Sequence, residues 1–340
     1  MFNFDAEASH EHIIVNQVPK LAYSEKKDFD AWRKELREKF VELLGINKIR
    51  ENDCPLNVIV EYREKKEGYE LIRLVVETEK DVFIPCYLLI PDGNKEKYPL
   101  AITLQGHKHG GMYNSIGIVK DDDDREYQPR GSFALQAVKE GFAALCVEMR
   151  GMGELESVSE SRNKGFCCRF ASVMAISLGR SIIGERVWDV SKAIDAMEKF
   201  PQVDLSTIVI TGNSGGGTAS FYAGAYDERI TLTAPSCAFC SYSASILHWY
   251  HCFCNVIPEA PRYFDMGDLA GLIAPRKLTI IAGALDGTFP YQGVLDNYPI
   301  VERIYERVGA KGNAELVTTP KDHWWCEDIV WPSIQRGLKK

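Results

Sequence analysis

Short apolar runs alternate with amphipathic segments along most of the chain. The runs are rich in Val, Ile, Leu and Phe and end at Gly, Pro or Asp, which is typical of buried strands. The longer segments repeat apolar residues every three or four positions, which predicts helices with one buried face. The predicted strands are residues 56–62, 69–77, 82–90, 99–104, 142–148, 208–211, 230–234, 278–282 and 315–318. The predicted helices are residues 28–44, 132–140, 184–200, 215–226, 293–307 and 324–337.

From residue 99 onward, predicted strands and helices alternate. This order favours a mainly parallel central sheet flanked by helices, so the predicted class is α/β. We interpret residues 1–340 as one domain in which residues 1–50 form an N-terminal helical arm. Ligands bind to sheets of this kind at the carboxyl ends of the strands. The candidate chemistry is therefore expected in the loops that follow strands.

Two long segments interrupt the alternation, residues 152–183 and residues 236–272. Both exceed the length of ordinary connections, which indicates functional loops. The second is rich in Cys, Tyr, Trp and His and precedes strand 278–282, so we interpret it as a short lid. Its aromatic residues, Trp249 among them, are candidates for lining a substrate pocket, with core packing as the alternative.

Composition and charge exclude several classes of protein. The chain has 340 residues, of which 45% are hydrophobic and 26% charged, as in ordinary globular domains. Its formal net charge of −8 gives no basic bias toward nucleic acid or anionic membranes. No apolar stretch approaches the roughly 20 residues of a membrane span, and the first residues lack the apolar core of a signal peptide. The acidic run 121–124 lacks the ligand spacing of an EF-hand, so we expect a solvated loop there.

The strand 208–211 is followed by the sequence Gly212-Asn213-Ser214-Gly215-Gly216. This G-x-S-x-G pattern predicts a nucleophile elbow, a sharp strand-to-helix turn that exposes the serine hydroxyl. A side chain at Gly212 or Gly216 would press on the neighbouring backbone of so tight a turn. The N–H of Gly215, at the positive end of the new helix, is a candidate donor to a developing oxyanion.

A serine nucleophile needs a base, and the base needs an acid that holds it in one tautomer. Asp286 follows strand 278–282 in a turn, and His323 follows strand 315–318. Both therefore lie at strand ends, where Ser214 also lies, and they are the predicted acid and base. Asp322 is the competing acid, although a neighbour in sequence would have to curl back onto the imidazole.

The second oxyanion donor is expected in the loop after strand 99–104, which begins Gln105-Gly106-His107. Its glycines allow close approach of the backbone, and we assign the donor to the backbone N–H of His107. The alternative is a flexible surface loop. Arg150 follows the next strand, 142–148, and we interpret it as a structural residue that braces neighbouring loops.

Taken together, these motifs resemble the α/β-hydrolase superfamily, whose triad members follow the chain order Ser, acid, His. The resemblance is to its acetyl xylan esterase-like branch, which is related to dienelactone hydrolases. It covers residues from about 82 to the C-terminus, and the motifs that carry it beyond the elbow are Gln105-Gly106-His107, Arg150-Gly151-Met152-Gly153, Gly184-Glu185-Arg186-Val187-Trp188-Asp189 and Ala274-Pro275-Arg276. It implies Ser214 as nucleophile, Asp286 as acid and His323 as base. The elbow itself differs from the Ser-Gln-Gly-Gly elbow of the cephalosporin-C deacetylase group.

The ten cysteines are scattered through a large chain, which favours reduced thiols and a cytoplasmic location. Cys237-x-x-Cys240 has metal-ligand spacing, and Cys252-x-Cys254 follows it with His248 and His251 between the pairs. Metal binding and a disulfide are open alternatives. The aromatic surroundings favour packed free thiols, so no metal is predicted.

The sequence therefore predicts a serine carboxylic-ester hydrolase that acts through an acyl-enzyme without a cofactor. The resemblance suggests an acetylated sugar or a similar small ester as substrate. Trp324, beside the base, and Trp249 are the predicted substrate-binding residues, and Trp325 could wall the same pocket. A small serine peptidase and a non-catalytic scaffold are the alternatives. No nucleic-acid or membrane partner is expected, and a homo-oligomer is left open.

Overall fold

A single nine-stranded sheet organises the chain, with strand order β1-β2-β3-β5-β4-β6-β7-β8-β9. The computed structural model describes residues 4–107, 110–156, 168–248 and 251–339. The first three strands and β5 pair antiparallel, whereas all pairs from β5 to β9 are parallel. The strands are β1 (Asn57–Lys66), β2 (Tyr69–Glu79), β3 (Val82–Pro91), β4 (Tyr98–Leu104), β5 (Ala143–Val147), β6 (Val203–Asn213), β7 (Leu232–Ser236), β8 (Lys277–Gly283) and β9 (Ala314–Thr319).

Each predicted strand is present, and β6 begins five residues before its apolar run. The described helices are α1 (Ala6–Asn16), α2 (Phe29–Leu44), α3 (Ile46–Arg50), α4 (Met112–Ser115), α5 (Asp122–Tyr127), α6 (Phe133–Lys139), α7 (Arg169–Ser177), α8 (Ile182–Ala196), α9 (Gly215–Tyr226), α10 (Ala260–Tyr263), α11 (Met266–Ile273), α12 (Tyr291–Arg307) and α13 (Glu327–Lys339). Single 3₁₀ turns lie at Gly153–Leu155, Met197–Lys199, Phe253–Asn255 and Lys311–Asn313. In the described ranges, no helix has the length and apolar character that a membrane span requires.

Helices cover both faces of the sheet, as the alternating pattern predicts. Neighbouring residues of a strand point to opposite faces, so Ile102 joins one apolar cluster and Ala101 the other. The first cluster includes residues of α2, α8, α9, α11 and α12, and the second includes residues of α6 and α13. Helix α9 is buried along eleven of its twelve residues, which explains why it carries small and apolar side chains on every side.

The N-terminal arm contains the predicted helix 28–44, observed as α2. The Asp28 carboxylate accepts a hydrogen bond from the Ala31 N–H at 2.9 Å and caps the first turn. Gly45 ends the helix in the left-handed region, with φ of 80°. Trp32 is buried, and its Nε1–H donates to the carbonyl oxygen of Leu21 at 2.7 Å. The arm is therefore attached to the body through both packing and hydrogen bonds.

The prediction of a solvated loop for the acidic run 121–124 is wrong. The Asp121 carboxylate caps α5 by accepting from the Asp124 N–H at 2.8 Å. Asp124 is buried and accepts from Asn114 Nδ2 at 2.9 Å and from the Lys120 N–H at 3.0 Å. Two of the carboxylates therefore serve as a helix cap and a buried acceptor, roles that a run of like charges conceals in the sequence.

The segment interpreted as a lid packs against α9 and the N-terminal arm. The ring of Phe239 contacts that of Phe221 edge-on, with centroids 5.6 Å apart, and the hydroxyls of Tyr242 and Tyr222 lie 2.7 Å apart. The Leu21 N–H donates to a carbonyl oxygen of α10, and every residue of α11 is buried. Most of the described part of this segment is therefore core, and its movement as a lid stays a prediction.

A buried ionic network joins β2 to α8 through Arg150. The guanidinium donates to Asp189 from Nε at 2.8 Å and from Nη2 at 2.7 Å, and Nη2 also contacts Glu79 at 2.8 Å. Both carboxylates are almost fully buried, and Arg180 pairs with the second oxygen of Glu79 at 2.8 Å. These contacts agree with the structural role predicted for Arg150.

We expect Arg150→Ala to lower the free energy of unfolding by about 3–5 kcal/mol, because the buried carboxylates of Asp189 and Glu79 lose the positive charge that pairs with them. Denaturant unfolding measures this effect. Arg336→Ala is the matched control, since its partner Glu315 is paired at the surface and exposed pairs contribute only about 0–1 kcal/mol. Equal losses in the two variants would contradict a structural role for Arg150.

Candidate active site

Ser214 lies in the sharp turn between β6 and α9. Its backbone angles are φ 58° and ψ −125°, a strained conformation for a residue with a side chain. A Cβ atom at Gly212 would lie 2.4 Å from the carbonyl oxygen of Leu104, and one at Gly216 would lie 2.1 Å from the same oxygen. Both positions therefore require glycine, as the steric argument from the sequence predicts.

The loop after β4 lies against this turn. A Cβ atom at Gly106 would approach the carbonyl oxygen of Asn213 to 3.0 Å and the Cβ of Ser214 to 3.3 Å. A Cβ at Gly215 would lie 3.0 Å from His107 Nδ1. Gly106 therefore packs against Ser214 and the His107 ring against Gly215, and the two oxyanion donors stay a prediction.

Asp286 and His323 meet at the ends of β8 and β9. Asp286 Oδ2 lies 2.9 Å from His323 Nδ1, and Asp286 Oδ1 accepts from the N–H groups of Thr288 at 2.8 Å and Phe289 at 3.0 Å. The Asp286 side chain is 1% exposed, whereas that of His323 is 28% exposed. Asp286, the predicted acid, is thus held by the backbone of its own turn, and His323, the predicted base, is partly exposed.

The imidazole of His323 is also oriented by packing. The Phe289 ring stacks on it with an interplanar angle of 10° and a centroid distance of 6.0 Å. Asp322, the competing acid, is exposed, and His323 makes its carboxylate contact with Asp286. Because β6, β8 and β9 run parallel, their carboxyl ends place Ser214, Asp286 and His323 at one edge of the sheet.

Cys237 follows β7, the strand between the elbow strand and the acid strand. Its Sγ lies within 4.8 Å of the side-chain ligand atoms of Asp286 and His323. Burial and then the charge of Asp286 raise the pKa of the Cys237 thiol to about 12. This thiol is therefore neutral near pH 7, so Ser214 is the candidate nucleophile at this edge.

Trp324 and Trp325, which follow His323 in the chain, lie in different environments. Trp324 is 39% exposed, and the guanidinium carbon of Arg130 lies 3.5 Å from its ring centroid. The expectation that Trp325 walls the pocket is wrong, because its ring is buried in the core and its Nε1–H donates to Gln136 Oε1 at 2.9 Å. Trp324 with Arg130 thus forms an aromatic and cationic surface next to His323. Trp249 lies outside the described residues.

The pair Cys237 and Cys240 and the pair Cys252 and Cys254 do not form one site in the structure. Cys240 Sγ contacts the carbonyl oxygen of Pro290 at 3.5 Å. His248 Nδ1 lies 2.8 Å from a carboxylate oxygen of Glu11, and the His251 ring packs edge-on against Phe289. Cys252 and Cys254 instead lie near His107 and Cys168. Cys168 is far from the other three in the sequence, so no local spacing indicated this contact.

Glu148 is a further residue of the site region that the sequence did not indicate. It is buried, and its carboxylate accepts from the N–H groups of Met112, Met149 and Glu154 at 3.2 to 3.3 Å. Met112 begins α4 at the end of the loop after β4, and Met149 and Glu154 lie in the segment after β5, so one carboxylate joins the two connections. Burial raises the pKa of Glu148 to about 8, although the hydrogen bonds from the amides oppose this shift.

A cavity of about 630 Å³ lies away from these residues. It is bounded by α2, by Tyr226 at the end of α9 and by charged side chains such as Arg37 and Arg229. None of Ser214, Asp286 and His323 lines it. The candidate chemistry therefore belongs to the strand ends and not to this cavity.

The mixed sheet, the strained elbow and the Asp–His pair define an α/β-hydrolase. The chain belongs to the Abhydrolase family, whose model matches residues 10–321. It is 24% identical over 295 residues to "Putative hydrolase YtaP" of Bacillus subtilis (strain 168), covering 86% of this chain and 94% of that protein. The predicted superfamily, fold and hydrolase class are confirmed.

Two further similarities are to carbohydrate esterases. The chain is 33% identical over 131 residues to a 4-O-methyl-glucuronoyl methylesterase of Hypocrea jecorina (strain QM6a), over 30% of this chain and 28% of that enzyme. Its fold is similar to that of "a putative acetyl xylan esterase" from Bacteroides fragilis NCTC 9343, with a TM-score of 0.82 and 19% identity. That match covers 100% of this chain and 96% of the other.

We expect Asp286→Asn to lower kcat for ester hydrolysis by about 10³–10⁴-fold, because the base then loses the carboxylate that stabilises its protonated form. Asp322→Asn is the matched control and should change kcat only a few-fold. Steady-state kinetics on purified variants checks both. A large loss in Asp322→Asn with an active Asp286→Asn would make Asp322 the acid.

The stability of the chain should depend on the protonation of Glu148. Its pKa lies near 8 in the folded state and at the ordinary value of 4.5 once unfolded. Between these values the folded chain keeps a proton that the unfolded chain releases, so stability falls as pH rises, by at most about 1.4 kcal/mol per pH unit. In Glu148→Gln the free energy of unfolding, measured with denaturant, should fall less steeply between pH 5 and about 8 than in the parent. An unchanged pH dependence would refute this assignment.

Proposed function

We propose that this protein is a serine carboxylic-ester hydrolase that acts on esters of carbohydrates. The observation that carries the proposal is the juxtaposition of a strained, glycine-flanked Ser214 with the hydrogen-bonded pair Asp286–His323 at the same sheet edge. The similarities to esterases named for acetyl xylan and for glucuronoyl methyl esters support the substrate class.

The proposed reaction has two steps. Ser214 Oγ attacks the ester carbonyl while His323 Nε2 accepts the hydroxyl proton, and Asp286 stabilises the imidazolium that results. His323 then protonates the leaving alcohol, and an acyl-enzyme remains on Ser214. A water molecule, deprotonated by His323, attacks the acyl carbonyl and releases the acid with regeneration of the serine.

The oxyanion of each tetrahedral intermediate is assigned to two backbone N–H groups. Gly215 lies at the first position of α9, where the helix dipole favours negative charge. His107 lies in the loop that packs on the elbow through Gly106. Donors held in this way need no reorganisation as the charge develops, which is the usual source of their catalytic effect.

For the substrate we propose an acetylated sugar, in which the carbohydrate is the alcohol of the ester. The partly exposed Trp324 ring, with the Arg130 guanidinium over one of its faces, supports a sugar-binding surface beside His323. The glucuronoyl methylesterase similarity favours a second candidate, a methyl ester in which the carbohydrate is the acyl part. The two differ in which product retains the sugar, so product analysis separates them.

We expect Ser214→Ala to lower the hydrolysis of p-nitrophenyl acetate at least about 10³-fold, because the acyl-enzyme can no longer form. Ser206→Ala, a serine on the exposed part of β6, is the matched control and should remain active. A fluorophosphonate probe should label the parent and Ser206→Ala and leave Ser214→Ala unlabelled.

Assays of the parent protein with other substrates test the competing functions. A serine peptidase would hydrolyse aminoacyl p-nitroanilides faster than acetylated xylo-oligosaccharides or methyl glucuronates. A non-catalytic scaffold would react with neither substrate nor probe. Full activity in Ser214→Ala would overturn the serine mechanism.

A further inference from the structure

A cluster of four metal-ligating side chains lies beside the elbow. The imidazole of His107 and the thiols of Cys168, Cys252 and Cys254 bring one ligand atom each to within 4.8 Å of all the others. Cys168 and Cys254 are fully buried, and the other two residues are partly buried. The proposed triad uses none of these four side chains, and the predicted oxyanion hole uses only the backbone N–H of His107.

The contacts within the cluster converge on His107 Nε2. This nitrogen lies 2.9 Å from Cys254 Sγ and 3.4 Å from Cys168 Sγ, and Cys168 Sγ lies 2.6 Å from Cys252 Sγ. The four residues come from three separate places in the chain, namely the loop after β4, the residue before α7, and the 3₁₀ turn with its preceding residue. Convergence of soft donors from distant loops is the arrangement expected of a metal site.

We propose that His107, Cys168, Cys252 and Cys254 bind a structural zinc ion. Three sulfurs and one imidazole nitrogen form a Cys₃His set, which zinc binds tetrahedrally in closed structural sites. The soft thiolates select against magnesium and calcium, which prefer oxygen. Zinc binding would displace the three thiol protons into solvent without any change of oxidation state.

The charges around the cluster suit this ion. A zinc ion with three thiolates and a neutral imidazole carries a net charge of minus one. Arg186 is 1% exposed and lies in electrostatic contact with Cys254 and Cys168. Its Nε and Nη2 donate to the carbonyl oxygen of Arg150 at 3.1 and 2.7 Å, and its buried Nη1 has no hydrogen-bond partner in the described ranges. A buried arginine beside an anionic metal centre would neutralise that centre.

The proposed ion would connect three loops around Ser214. His107 belongs to the oxyanion loop, and its Nδ1 side faces Gly215 at the elbow. Coordination through Nε2 would keep the proton on Nδ1 and hold the ring against the first turn of α9. Cys168 is held near Gly151, where a Cβ would lie 2.7 Å from Cys168 Cβ. The zinc ion would therefore stabilise the loop that supplies the second oxyanion donor.

Metal content tests the proposal without reference to catalysis. The untagged protein is expressed in zinc-containing medium and purified without chelator. Inductively coupled plasma mass spectrometry should then find about one zinc ion per chain. Cys254→Ser should retain less than about a tenth of it, since one of four ligands is lost. Cys54→Ser, a cysteine near β1 and outside the cluster, is the matched control and should keep the full content.

A second measurement remains informative if Cys254→Ser does not fold. The parent chain loaded with Co²⁺ in place of zinc should show the sulfur-to-metal charge-transfer bands and intense visible bands of a tetrahedral thiolate site. Metal-free protein that takes up neither ion overturns the proposal. A disulfide between Cys168 and Cys252 in aerobically purified protein, shown by the mass of the unreduced chain, also overturns it. Equal zinc content in Cys254→Ser and Cys54→Ser does so as well.

Discussion

The close approach of backbones at the nucleophile elbow is the constraint on which the site depends. Strands β4 and β6 pair in parallel with Leu104 opposite Gly212, so the end of one strand lies directly on the turn that follows the other. Any Cβ at Gly212 or Gly216 would collide with the Leu104 carbonyl. The same approach brings Gly106 onto Ser214. A single packing requirement therefore sets the strained serine and places the oxyanion loop against it.

Buried polar groups and ion pairs connect the loops that this packing brings together. Glu148 accepts hydrogen bonds from the loops after β4 and β5, and Arg150 joins Asp189 of α8 to Glu79 of β2. Displacing either loop would leave an ionised or polar group buried without partners, which costs far more than the loss of an exposed pair. Asp286 is held by the same principle through the amides of its own turn. These hydrogen bonds and ion pairs thus favour one arrangement of the segments around Ser214.

The proposed zinc site would act on the loop after β4 through His107. His107 takes part in both arrangements, since its backbone N–H is assigned to the oxyanion and its Nε2 contacts the thiols. Glu148 and the cluster of His107, Cys168, Cys252 and Cys254 would then be two separate supports for one loop. In the proposed mechanism the zinc ion would therefore have a structural role beside Ser214 and no part in the chemical steps.

Local patterns in the sequence predicted the nine strands, the elbow turn, and the proximity of Asp286 and His323 that the fold shows. Strand periodicity and turn chemistry depend on neighbouring residues, so they are readable without the fold. Contacts between distant side chains are not, because they depend on the paths of long loops. The acceptor role of Asp124, the core position of Trp325, the ring of Trp324 against Arg130 and the meeting of Cys168 with His107 all belong to this second group. The sequence by itself determined the sheet and the chain order of Ser214, Asp286 and His323. The tertiary structure decided which polar and sulfur-containing side chains meet around the sheet edge, because such contacts form only when the whole sheet and its loops are in place.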